Sequence, residues 1–332
     1  MVEATRIVKN PSSILLQVTN ICMFKCKMCW EWKCKPDSDE LSIKQWKDFA
    51  VSLKGYSDSP VEIGITGGEP LLKEGVLDLI KICSENGLRT VLTTNGYLID
   101  AEMAEKIAES GLTLIFLSLD SLDEKIHDFL RGTEGAYARV MRAIDCLDKA
   151  RDGLEIGIQT LMTCKNLDGI IELMKWINKD DRISTNYVQA INIPINSPHD
   201  SAWHKRDEFN FLWPSDTHKV NSILDELIRQ KENKSKISNS ISHIQSFKAY
   251  FLDPQNFMRV QQCPFIGTSL NISAHGDVYL CWEMESLGNI KTGGIGELWF
   301  SNKAKQIREK MYNCTKSCPV IINCSFEEAS IT

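Results

Sequence analysis

A chain of 332 residues with 43% hydrophobic and 25% charged side chains has the composition of a globular protein, which excludes a collagen-like or disordered polymer. Its 38 Lys and Arg against 44 Asp and Glu leave a formal charge of −6, a poor match to nucleic acid or an acidic membrane surface. There is no uninterrupted apolar run of the ~18 residues that a membrane helix needs, and the opening MVEATRIVKN lacks the apolar core of an export signal. A cytoplasmic protein is expected, with one large domain and a smaller one.

Strand-length apolar runs alternate with amphipathic stretches. The runs lie at 14–18, 61–66, 90–94, 112–119, 154–162 and 186–191. Ser42 opens the first helix, with Gln45 at the capping-box spacing. Ile43, Trp46, Phe49, Ala50 and Leu53 then repeat at helical intervals. Residues 71–83, 101–108, 137–150 and 167–177 carry similar stripes. This alternation predicts an α/β fold with a parallel sheet and right-handed crossovers. Six such units make a partial (β/α)6 barrel, open rather than closed, with function where strands end and helices begin.

The pattern breaks over 192–214, which holds His199, Trp203, His204, Arg206 and Trp213. A surface connection and a substrate lid are both consistent with it. A polar helix over 215–234 and a Lys/Ser/Asn-rich linker follow. After residue 255, segments 271–273 and 278–280 flank a His275-Gly276-Asp277 turn. The expected division is 1–192 for the barrel, 193–254 for a connecting or lid segment, and 255–332 for a cysteine-rich auxiliary domain.

Twelve cysteines are many for a reducing compartment, where metal or redox chemistry explains them better than disulfides. Cys22, Cys26, Cys29 and Cys34 follow the first run. Cys263, Cys281, Cys314, Cys318 and Cys324 lie near the end, so two metal sites are expected. Cys22, Cys26 and Cys29 form a C-x3-C-x2-C loop. Three thiolates from one loop can hold three irons of a 4Fe–4S cluster and leave the fourth open. A structural zinc site with Cys34 as fourth thiolate is the alternative. Polar signatures at the ends of the expected strands favour the cluster. They are Gly67-Gly68-Glu69-Pro70, Thr93-Thr94-Asn95-Gly96, Ser118-Leu119-Asp120 and Arg131-Gly132.

In this order the motifs resemble the radical S-adenosylmethionine (radical SAM) superfamily, from residue 14 through the sixth run. The resemblance implies that Cys22, Cys26 and Cys29 bind a 4Fe–4S cluster, whose open iron is chelated by the SAM amino and carboxylate groups. Gly67, Gly68 and Glu69 would hold the amino group, the carboxylate serving as a charge-assisted partner. Ser118 and Arg131 would hold the SAM carboxylate and ribose. Asn95 would face the same pocket, and Thr160 the adenine side. Met28 departs from the usual aromatic residue before the last cysteine. The implied chemistry is reductive cleavage of SAM to methionine and a 5′-deoxyadenosyl radical, which takes hydrogen from an unactivated C–H. The electron would come from a carrier such as flavodoxin or ferredoxin. The protein must exclude water and place the target carbon.

Cys263, Gly276 and Cys281 follow the spacing C-x12-G-x4-C, and Cys314, Cys318 and Cys324 follow C-x3-C-x5-C. Together they are similar to the SPASM/twitch extension of radical SAM enzymes, which binds auxiliary iron–sulfur clusters. A full SPASM domain has a further cysteine where Glu328 stands. Five cysteines cannot fill two four-thiolate clusters. One auxiliary 4Fe–4S cluster is therefore expected, on Cys263, Cys281 and two of Cys314, Cys318 and Cys324. A zinc ribbon is the alternative.

The resemblance implies a peptide or small polar substrate that is oxidised, crosslinked or epimerised. A dehydrogenase of small sugars or aminocyclitol-like compounds is the alternative. A noncatalytic metal-binding or electron-carrier protein is a reading of another class. Only thirteen residues precede the first run, so the leader-binding domain of many peptide modifiers is not expected. Cys83 and Cys146 lie on apolar helix faces and suit the core. Cys164, just past the fifth run, could return a hydrogen atom to a substrate radical, with Cys34 second; packing is the plainer role. Asp120 could be a turn residue or face substrate. Glu283 and Glu285, just after Cys281, could serve as a base for a substrate hydroxyl or amine; a solvated loop is the plainer role. An auxiliary cluster favours net oxidation or bond formation over epimerisation.

Overall fold

All six runs become strands in the computed structural model, which describes residues 9–35, 37–56, 61–194, 197, 200, 202–255, 257, 263–314 and 321–323. They are β1 (Ser13–Gln17), β2 (Glu62–Thr66), β3 (Arg89–Thr94), β4 (Leu114–Ser118), β5 (Glu155–Met162) and β6 (Thr185–Ala190). Each pairs in parallel with its sequence neighbour. Between them run α1 (Ile43–Ser52), α2 (Val76–Glu85), α3 (Ala101–Glu109), α4 (Glu124–Arg131), α5 (Ala136–Ala150) and α6 (Ile170–Lys179). The Ser42–Gln45 capping box forms as expected, and Asp100 and Asp123 cap α3 and α4. The helix expected over 71–83 is split. A short turn at Pro70–Leu72 precedes Gly75 at φ 80, and α2 begins only after it. The eight-residue α4 is not foreseen; its short length gives only two buried positions, His127 and Leu130.

Strand alternation gives the sheet two unlike faces. Ile14, Leu16, Ile63, Ile115, Ile158 and Val188 face the helices at 0% exposure, each contributing about 1.5–3 kcal/mol by burial. On the other, inner face the parallel register aligns Gln17 with Thr66, Ser118 with Gln159, and Gln159 with Tyr187. That face is polar where the strands end.

The connecting segment packs through aromatic rings. Trp203, His204, Phe209 and Trp213 meet one another and Tyr250 and Phe251, with centroids 4.9 to 6.1 Å apart. The polar helix appears as α7 (Thr217–Glu232). The expected linker is largely a further helix, α8 (Ile241–Leu252), capped by Ser240 and burying His243, Ile244, Phe247, Tyr250 and Phe251. The Lys/Ser/Asn composition ends at the cap, and the aromatic face beyond it supplies the core contact. His199 lies outside the described residues.

The sheet continues past β1. β7 (Ser269–Ile272) pairs with it in parallel, and β8 (Asp277–Tyr279) and β9 (Gly288–Asn289) follow antiparallel. The nine strands run β6-β5-β4-β3-β2-β1-β7-β8-β9. The expected hairpin, turning at Gly276 (φ 90), is thus continuous with the barrel sheet. α9 (Ile295–Trp299) and α10 (Asn302–Tyr312) come next.

At the opposite edge, β6 is capped by side-chain amides. Asn239 bonds both the N–H and the C=O of Val188 at 2.8 Å. Asn323 does the same to Ala190 at 2.8 Å. Lys236 and Ser238 satisfy Asn186. An unpaired edge would otherwise be a template for association. Asn239→Ala orphans two Val188 groups and is expected to cost about 2–4 kcal/mol in denaturant unfolding. An unchanged midpoint would show that water replaces the amide.

Candidate functional site

The loop after β1 carries Cys22, Cys26 and Cys29, all partly buried. It is held by contacts that use no thiol. Val18 N–H donates to Thr66 O at 2.9 Å, and Lys27 N–H to Leu130 O at 2.8 Å. Glu40 accepts from Asn20 N–H and the Thr19 hydroxyl at 2.7 and 3.0 Å. Gln17 donates to Asn20 and to the buried Glu31, both at 2.9 Å. Gly132 ends α4 in the left-handed region, where a Cβ would run into the Lys25 carbonyl. Only glycine lets α4 approach the loop this closely.

Burial pushes the Cys22 thiol up to about 11 and Cys29 to about 12, and it raises Cys26 as well. The thiols also raise one another, since Cys26 disfavours the charge on Cys22 and Cys29. A cationic iron core reverses that penalty, as metal coordination deprotonates thiols. A backbone N–H donor already reaches one sulfur, from Glu31 to Cys29 at 3.4 Å, and the Phe24 backbone favours the charged form of Cys22. Such bonds suit thiolates on an iron–sulfur cluster. Among the described residues no group of three His, Cys, Asp or Glu is arranged to hold one metal ion. A 4Fe–4S cluster would instead spread the three thiolates over three different irons, one to each.

The Gly67-Gly68-Glu69 tip of β2 is stitched to this loop: Gly68 N–H donates to Thr19 O and Glu69 N–H to Ile21 O, both at 2.8 Å. A Cβ on Gly68 would meet the Ile21 carbonyl. The Glu69 carboxylate is 1% exposed. One oxygen accepts from Leu71 N–H at 3.1 Å and the Thr94 hydroxyl at 2.7 Å; the other accepts from Asn95 N–H at 2.9 Å. It therefore ties the tips of β2 and β3 together, and the second oxygen keeps acceptor capacity for an ammonium. Burial raises its pKa, against those hydrogen bonds. Asn95 reaches back to the cysteine loop, its amide 3.5 Å from the Met23 sulfur.

Beyond β4, Asp120 is 0% exposed. Rather than a solvated turn residue, it is the counter-ion of Arg131, with Nε and Oδ2 2.8 Å apart. The two are a close ion pair, and neither of these atoms has a directed hydrogen bond. Asp120 Oδ1 accepts from Leu161 N–H at 3.0 Å. The Arg131 charge also favours the thiolate of the nearby Cys26. Asp120 N–H donates to Nδ1 of His127 at 3.2 Å, and burial lowers His127 to about 4, keeping it neutral.

Two expectations are corrected. Thr160 is not on the inner face. Register aligns Ser118 with Gln159, so Thr160 points the opposite way. It is 0% exposed, its hydroxyl donating to Leu119 O at 2.9 Å and accepting from Asn186 at 3.2 Å. The inner-face residues in its place are Gln159 and Gln189, joined at 2.6 Å, and Tyr187. Counting in twos from Ser118 across the parallel pair would have found Gln159. Cys164 is not poised at an open mouth either. Its thiol donates to Phe211 O at 2.8 Å and its N–H to Leu212 O at 2.9 Å, anchoring the connecting segment. That segment lies against the cysteine loop, with Trp30 and Phe209 centroids 5.2 Å apart.

At the second site, Cys263 and Cys281 are partly buried and Cys314 is exposed. Burial raises Cys281, and the charges of Cys263 and Cys314 raise it further. Cys318 and Cys324 lie outside the described residues. Glu285 pairs with Lys310 of α10. Cys83 is a core residue at 0% exposure, and Cys146 packs against that core.

The model of the radical SAM superfamily matches residues 16–177, and that of an iron–sulfur cluster-binding domain, SPASM, matches 263–325. An AdoMet-dependent heme synthase of Oleidesulfovibrio alaskensis is 34% identical over 163 residues, 49% of this chain and 41% of that protein. The sporulation killing factor maturation protein SkfB of Bacillus subtilis is 32% identical over 140 residues, 42% of this chain and 33% of that protein. The chain spans between 38% and 43% of the length of three curated relatives that it matches. The fold is like that of Streptococcus suis SuiB, with a TM-score of 0.66 at 20% identity over 95% of this chain and 72% of that one. No helix among the described residues is long and apolar enough to cross a membrane. The two domains identify the cofactors as 4Fe–4S clusters and S-adenosylmethionine. The chain belongs to the radical SAM superfamily and carries a SPASM domain at its C-terminal end.

Proposed function

We propose that this chain is a radical SAM enzyme that acts on an unactivated C–H of a peptide or small polar substrate. The observation that carries the reading is the cradle itself. The cysteine loop, the Gly67–Glu69 tip and Asn95 are joined by direct hydrogen bonds, and the charge of the Asp120–Arg131 pair acts on Cys26. The cluster and SAM, when bound, supply one-electron reductive cleavage to methionine and a 5′-deoxyadenosyl radical that takes hydrogen from the substrate.

In this reading Cys22, Cys26 and Cys29 hold the cluster. Glu69 and the backbone of Gly67 and Gly68 hold the SAM amino group, Arg131 and Ser118 its carboxylate and ribose, and Asn95 the pocket wall. Cys263 and Cys281, with two of Cys314, Cys318 and Cys324, hold an auxiliary cluster. The division at 1–192, 193–254 and 255–332 follows from these roles. The amide-lined inner face, Gln17, Gln159 and Gln189, supports a substrate rich in hydrogen-bonding groups. The engagement of Cys164 with Phe211 O supports net oxidation or bond formation over epimerisation.

The test is anaerobic assay of the iron-reconstituted protein with dithionite, which is expected to yield 5′-deoxyadenosine. Iron binding without SAM cleavage would leave the electron-carrier reading. Glu69→Gln removes the anion at nearly constant volume and is expected to weaken SAM binding about 10- to 100-fold, the scale of one charge-assisted bond. Circular dichroism must show an intact fold, because the new amide faces three N–H or O–H donors. Full SAM affinity in a folded variant would remove the ammonium role from Glu69.

A further inference from the structure

α10 is polar on most of its surface, yet Arg308 turns inward. It is 9% exposed, the only Lys or Arg among the described residues that is buried as a whole. A cation is almost never fully buried unless it is paired. Arg131, largely buried too, has Asp120 at 2.8 Å. No carboxylate pairs with Arg308 among the described residues, its Nη2 has no hydrogen-bond partner, and burial lowers its pKa. An apolar side chain of similar volume would serve plain packing as well or better.

The contacts that Arg308 does make lie at a joint. Its Nε donates to Ile266 O at 2.9 Å, and its guanidinium sits 4.1 Å from the centre of the Trp299 ring, a cation–π distance. Trp299 is 0% exposed and donates to Lys9 O at 2.9 Å, so this platform is itself fixed. Ile266 belongs to the turn Pro264–Gly267, which starts directly after Cys263, and its N–H donates to Cys263 O at 3.4 Å. At the other side of the joint, α10 runs on to Cys314, whose N–H donates to Met311 O at 3.2 Å. The charges of Cys263 and Cys314 both act on Cys281. Arg308 thus bridges the two chain segments that carry Cys263 and Cys314.

We propose that Arg308 is a positioning residue of the auxiliary iron–sulfur site, holding the segment of Cys263 and the segment of Cys314 at the separation that one 4Fe–4S cluster requires. The proposal rests on the reading of Cys263, Cys281 and Cys314 as auxiliary ligands. A guanidinium suits the task, because its planar fork donates in the plane while its face stacks on an aromatic ring. An apolar residue could fill the same space but would leave Ile266 O without its donor. Thiolates on separate segments must meet one rigid core. Groups that orient metal ligands without touching the metal typically change its affinity about 10- to 100-fold.

The experiment compares wild type with Arg308→Met and Arg308→Lys after anaerobic reconstitution of the full chain. Wild type is expected to hold roughly eight irons, and Arg308→Met about half of them. The iron lost should be that of the auxiliary site. In the reduced Met variant the EPR signal that added SAM perturbs should stay, and the signal that SAM leaves unchanged should fade. Arg308→Lys keeps a charged donor beside Trp299 and should retain more auxiliary iron than the Met variant. Urea unfolding of the cluster-free proteins separates positioning from folding. The Met variant should unfold at or above the wild-type midpoint, because an unpaired buried charge is gone. A midpoint that falls together with the iron would make Arg308 a plain folding residue and overturn the proposal. Unchanged iron and an unchanged auxiliary signal in Arg308→Met, or equal loading of the Met and Lys variants, would overturn it too. Full iron in Cys263→Ala/Cys281→Ala would instead sink the auxiliary-ligand reading, an outcome read without any Arg308 variant.

Discussion

Replacing Cys22, Cys26 and Cys29 together by Ala is expected to abolish reductive SAM cleavage and to leave about half of the roughly eight irons that two 4Fe–4S clusters contain. The structure makes this a clean experiment. The loop is held by Val18, Lys27, Glu40 and the close approach of Gly132, none of which uses a thiol. The variant should therefore fold, with its thermal midpoint near that of the cluster-free wild type. The residual iron would sit with Cys263 and Cys281 at the other end of the chain. Iron and sulfide analysis of both proteins decides the matter. Zinc in place of iron in the reconstituted wild type, or undiminished iron in the triple variant, would defeat the assignment. Both single-thiol pKa directions point the same way: thiols pushed upward by burial are poor open-solution nucleophiles but good ligands once a cation neutralises them.

How much of this was legible beforehand depended on the reach of each interaction. The six strands were readable because a parallel strand buried by helices is a continuous apolar run, and the first helix because its capping box is local. The cysteine loop and the Gly67–Glu69 tip were readable as motifs, since glycines there let backbones touch. Two things were not. The face of a strand is decided by register with its neighbour, so Thr160 looked like a pocket residue although Gln159 shares the face of Ser118. The use of a long-range partner was equally hidden. Cys164 donates to Phe211, 47 positions away, and α8 becomes a helix because its aromatic face meets Trp213. β7 joining β1 is the extreme case, a pairing across the whole barrel sequence that no local period reports.

Asp120→Asn is expected to cost about 3–5 kcal/mol, far more than neutralising any exposed acid of this chain, because it strands a buried guanidinium. Asp120 is fully buried, the Arg131 side chain is 13% exposed, and the pair is 2.8 Å apart. Exposed pairs such as Lys44–Asp48 should move stability by less than about 1 kcal/mol when broken. The pair also fixes Arg131, whose charge acts on Cys26, so SAM binding should weaken in the single variant beyond what instability explains. The double variant Asp120→Asn/Arg131→Gln separates the two effects. With no charge left unpaired, stability should return toward wild type, while SAM affinity should not, because the proposed carboxylate partner is gone. Urea unfolding gives the first quantity and equilibrium binding of SAM to the reconstituted protein the second; the coupling between the two sites follows from the cycle. Additive losses of stability would show that Asp120 and Arg131 act independently. Restored SAM affinity in the double variant would show that Arg131 acts only as a counter-ion inside the fold, and that another group holds the SAM carboxylate.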